Sequence, residues 1–72
     1  MTKPLQQFRV LAKQHANEAF REVYRTPDEE NASCFAESHF INRHAFAVRA
    51  VDEQERPLRD RAGREFVWQR QA

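Results

Sequence analysis

Cysteine, glycine and long apolar runs are almost missing from this chain. Cys34 is the sole cysteine, so no intrachain disulfide can staple the fold, and the paired-cysteine spacing of a structural zinc site is absent. Gly63 is the sole glycine, which excludes the glycine-rich loops that cradle phosphates in P-loop and dinucleotide sites. No stretch approaches the roughly 18–20 apolar residues of a membrane-crossing helix, and residues 1–14 lack the apolar run and small-residue cleavage site of a secretory leader. The expectation is a cytoplasmic protein with no membrane partner, its lone thiol kept reduced.

What the chain does have is a dense and unevenly spread set of charges. Its 72 residues carry 12 Lys and Arg against 11 Asp and Glu, for a formal net charge of +1. Residues 1–26 are basic through Lys3, Arg9, Lys13, Arg21 and Arg25, whereas residues 27–42 hold Asp28, Glu29, Glu30 and Glu37 with no Lys or Arg. The remainder is basic again and uses arginine throughout, which suits planar, bidentate contacts to carboxylate or phosphate. The length suits one small domain over residues 1–72. A core of this size supplies only about 3–5 kcal/mol of stability. Self-association, as in a homodimer, or a larger partner is the expected support.

From Pro4 to Tyr24 the apolar residues Leu5, Phe8, Leu11, Ala12, Ala16, Ala19, Phe20 and Val23 recur at spacings of three and four, which predicts an amphipathic helix. Thr26-Pro27-Asp28-Glu29-Glu30 then supplies a cap, a first-turn proline and three acids at the positive end of a helix dipole, predicting a second helix that ends near His39. Beyond Ala45 the period shortens to two, with Phe46, Val48 and Ala50 on one side, and Glu65-Phe66-Val67-Trp68 also alternates. Asp60-Arg61-Ala62-Gly63 has the composition of a type I turn closing a hairpin with a glycine bulge.

Pairing Asp60 with Arg64 and Asp52 with Arg56 sets Phe46, Val48, Ala50, Leu58, Phe66 and Trp68 on one sheet face, with Arg56 opposite Trp68. The expected fold is therefore α+β: two N-terminal helices, the first of them long, followed by a three-stranded antiparallel β-meander. The alternative is mostly α with a C-terminal β-hairpin, its second helix running from Pro27 through Asp52.

Candidate chemistry is thin. Cys34, His39 and His44 invite a zinc reading with His15 as a fourth ligand, but they are spaced by fives, and neither a helix nor a strand converges that spacing on one metal. The expectation is no metal, no cofactor and no catalytic residue; a Cys34 two turns inside a helix and flanked by Glu30 and Glu37 is a poor nucleophile. The predicted sheet's outer face aligns Arg49, Arg59 and Glu65 beside Val67, leaving one guanidinium free for an acidic group on a partner. The expected function is thus non-enzymatic: a small binding protein acting on a larger macromolecular assembly, as subunit, regulator or inhibitor. The alternative is nucleic-acid binding, with Arg9, Lys13, Arg21 and Arg25 forming a basic ribbon on the first helix.

Overall fold

A computed structural model describes residues 6–70. In chain order the elements are β1 (Phe8–Lys13), β2 (Arg21–Thr26), α1 (Glu29–Asn42), β3 (Ala47–Val51) and β4 (Val67–Gln69). The four strands form one antiparallel sheet in the order β2-β1-β3-β4, and α1 lies across one of its faces.

The expected first helix is instead the β1–β2 hairpin, and the expected two-helix, three-stranded fold is overturned with it. The reason lies in the spacing of β1. Phe8, Val10 and Ala12 occupy the core side while Arg9, Leu11 and Lys13 alternate to the other, but Leu11 is apolar too. A strand with apolar residues on both faces satisfies helical and strand periods at once, and sheet pairing then overrides local preference. The β-formers Val23 and Tyr24 complete the hairpin. A bulge opposite Val10 and Leu11 turns Val23 and Tyr24 toward the core, where Tyr24 stacks on Phe35 with ring centroids 4.2 Å apart.

The second helix does form, two residues later than expected. Asp28, not Thr26, is the N-cap, and its carboxylate accepts from the amides of Glu30 and Asn31. Thr26 ends β2 and is buried. Its termination needs no glycine, because His44 takes a left-handed conformation at φ 52 and turns the chain into β3. That also overturns the alternative of one helix running from Pro27 through Asp52. Arg70 closes the same end: its guanidinium donates to the carbonyls of Phe40 and Ala45 and lies 4.6 Å from the Phe40 ring centroid, a cation where the helix dipole is negative.

Small residues set the helix-to-sheet spacing. Ala32 and Ala36 of α1 are fully buried against Val10, Ala12, Val48 and Ala50, with Ala45 and Leu58 completing the cluster. Phe8, Val23, Phe40, Phe66 and Trp68 ring it. The turns after β3 form where the residues predicted them. The Asp52 amide donates to the Arg56 carbonyl, Leu58 to Ala50, and Asp60 to Arg64, with Gly63 at φ 85. The last strand departs from expectation: β4 returns to β3, pairing Trp68 with Val48, so Trp68 does not face Arg56. Pro57 limits the middle segment to isolated bridges, Val51 with Pro57 and Arg59 with Glu65.

Candidate protein interface on the outer sheet face

The sheet face turned away from α1 is ordered in rows across the strands. One row runs Glu22, Leu11, Arg49, Val67 from β2 to β4; beside it run Arg25, Arg9, Val51 on one side and Lys13, Ala47, Gln69 on the other. Phe20, immediately before β2, folds over the middle of this face. The Arg49 guanidinium carbon lies 4.0 Å from its ring centroid and the Lys13 ammonium 4.9 Å, with Lys13 also 5.7 Å from the Phe46 ring.

Charge pairing divides the face in two. Glu22 binds Arg25 at 2.8 Å and lies 3.9 Å from Arg9, while Glu55 reaches Arg9 at 3.1 Å. Those two arginines are therefore engaged. Among the described residues neither Lys13 nor Arg49 has a carboxylate within ion-pair distance. Lys13 donates to the carbonyl of Ala16, and the Nε of Arg49 is buried without a hydrogen-bond partner. Leaving such a donor unsatisfied costs about 1–3 kcal/mol, more when it is charged. The centre of the face is thus two neighbouring cations, ringed by Leu11, Val67 and two phenylalanines.

The residues expected to bind a partner split into two places. Arg49 and Val67 are cross-strand neighbours on this face. Arg59 and Glu65 pair with each other at 3.5 Å on the following hairpin, and Arg59 borders a groove shared with Glu30, Cys34 and Glu37 of α1, so the expected row of Arg49, Arg59 and Glu65 does not form. The basic ribbon does not exist either, since its helix is a hairpin. Arg9, Lys13 and Arg25 sit on the outer face, and Arg21, paired with Ala12, borders a separate groove with Val23 and His39. Sequence reasoning missed Lys13 and Phe20 as partners of Arg49. The only available signal was Phe20 beside Arg21 and Lys13 in a segment whose period was ambiguous.

On the helix side, a groove of about 890 Å³ is lined by Gln14, Val23, Phe35, Ser38, His39 and Arg43. Burial, and secondarily the positive charge of Arg43, hold the His39 imidazole below its ordinary value of 6.5. Cys34 is exposed and lies in the other groove, so it has no histidine base beside it there. Among the described residues no group of three His, Cys, Asp or Glu side chains is placed to hold a metal ion, and no helix is long and apolar enough to cross a membrane. No protein-family description, curated protein or solved structure matches the chain.

Proposed function

We propose that the protein is a small non-enzymatic binding module whose outer sheet face engages an acidic surface on a larger protein or protein assembly. The observation that carries this reading is the pair Lys13 and Arg49, two neighbouring cations without a carboxylate partner, set in an apolar and aromatic surround. Charge of one sign at the centre of a surface gives partner specificity and a faster encounter, and the flanking Leu11, Val67 and Phe46 supply area that can be dried on contact. A catalytic reading lacks this support, because the one thiol and His39 border different grooves.

Nucleic acid is the weaker match to the same face. A phosphate backbone is tracked by a line of free cations. Here Glu22 and Glu55 engage Arg9 and Arg25, interrupting that line after two positions. Affinity capture from native lysate, split into nuclease-treated and untreated halves, tests the reading. A stoichiometric protein partner retained after nuclease supports it; a partner lost on nuclease treatment, with steep salt dependence, overturns it in favour of nucleic acid. A second copy of this chain as the captured partner makes the assembly a homodimer, which sedimentation over a concentration series checks.

A further inference from the structure

Arg49 Nε is the one buried side-chain nitrogen or oxygen without a hydrogen-bond partner among the described residues. Its position matters because Nε and the adjacent Nη form the edge of a guanidinium that grips a carboxylate through two parallel hydrogen bonds. In the free molecule Nε is closed to solvent, and the guanidinium carbon lies 4.0 Å from the Phe20 ring centroid. Phe20 is not part of the hydrophobic core cluster or of the residues packed against it. It follows an exposed loop, residues 14–19, and its ring meets the cations of Lys13 and Arg49. Moving the ring aside breaks its cation–π contacts and exposes a half-buried ring, and the cation–π part is an effect of roughly two- to fivefold in an equilibrium.

We propose that Phe20 is a displaceable cover over a carboxylate site. As the ring moves aside, an Asp or Glu side chain of the protein partner enters in the guanidinium plane, accepts from Nε and Nη of Arg49, and lies beside the Lys13 ammonium. The exchange gives the orphaned donor its acceptor and places a negative charge between two like charges. An apolar side chain at the same point satisfies neither need, and an amide oxygen gives the donor an acceptor without the charge, so the site favours acidic partners. The inference rests on the outer face being the partner interface.

The test is a ¹⁵N NMR titration of the full chain, following the Arg49 Nε–H signal against a capped tetraglutamate peptide, with a capped tetraglutamine peptide as control. A saturable shift with glutamate, and a distinctly weaker one with glutamine at the same concentrations, is expected. Phe20→Ala, checked for an intact amide spectrum, binds tetraglutamate roughly two- to fivefold more tightly. Phe20→Leu keeps apolar bulk without the ring quadrupole and falls between the two, and Lys13→Gln binds more weakly. An unmoved Nε–H signal, or Phe20→Ala and Phe20→Leu binding no better than the native chain, overturns the cover. The two readings fail separately: Arg49→Glu losing the captured partner while Phe20→Ala shows no gain removes only the cover, whereas capture unaffected by Arg49→Glu removes both.

Discussion

Ala36 is fully buried on the helix face that meets Val10, Ala12, Val48 and Ala50, and Ala36→Leu places three further carbons in that contact. Helix propensity hardly changes, since leucine and alanine are both strong formers. The change therefore reports packing. Protein interiors are filled to crystal-like density, so the added carbons force the helix off the sheet or the leucine off its rotamer, at a cost of about 1–3 kcal/mol. A domain this small holds only roughly 3–5 kcal/mol in total, and each kcal/mol moves its midpoint by about 4–8 °C. A loss near the middle of that range lowers the melting temperature by roughly 8–16 °C. Glu37→Leu adds the same side chain one residue along, where α1 is exposed, and changes stability by at most about 0.5 kcal/mol. Thermal and urea melts followed by circular dichroism distinguish the pair. Equal melts for Ala36→Leu and Glu37→Leu refute the placement of α1 on the sheet.

Asp28→Ala removes the carboxylate that accepts from Glu30 and Asn31, and urea melts are expected to show a loss of about 1 kcal/mol. His39 makes stability depend on pH with a definite sign. Its folded-state value is lowered, so as pH falls through 6.5 the unfolded chain takes the proton first and stability is lost until the folded value is passed. Urea midpoints measured from pH 8 to pH 5 fall more steeply for the native chain than for His39→Gln. Binding of the protein partner has a charge signature too: Lys13→Gln weakens capture, while Arg25→Gln, already paired with Glu22 at 2.8 Å, changes it little.

The residues that could be read correctly were those whose local chemistry admits one answer. Asp60-Arg61-Ala62-Gly63 closes as a turn because Asp60 caps it, accepting from the amides of Ala62 and Arg64, and Gly63 takes the positive φ that the turn needs. Asp52 does the same for Gln54 and Arg56. The start of α1 was legible to within two residues from its run of acids. The first third of the chain was not, because Leu11 adds an apolar residue to the polar side of β1 and residues 14–19 cross between strands without glycine or proline. That error carried into the site. With β1 and β2 read as one helix, Lys13 and Phe20 had no sheet to stand on, and Arg49 lost its two neighbours. Alternation with Val48 and Ala50 puts Phe46 on the core side, whereas Lys13 approaches its ring at 5.7 Å.

The claim on which the functional account turns is that Arg49 is the centre of a protein interface. The direct measurement compares capture of the nuclease-resistant partner by the native chain, by Arg49→Glu and by Arg64→Glu, an exposed arginine in the turn that Asp60 closes, with melting curves for all three. The account predicts at least a tenfold loss of captured partner for Arg49→Glu, about 1.4 kcal/mol or more, with Arg64→Glu indistinguishable from native and all three folded. Equal capture by Arg49→Glu and the native chain contradicts it.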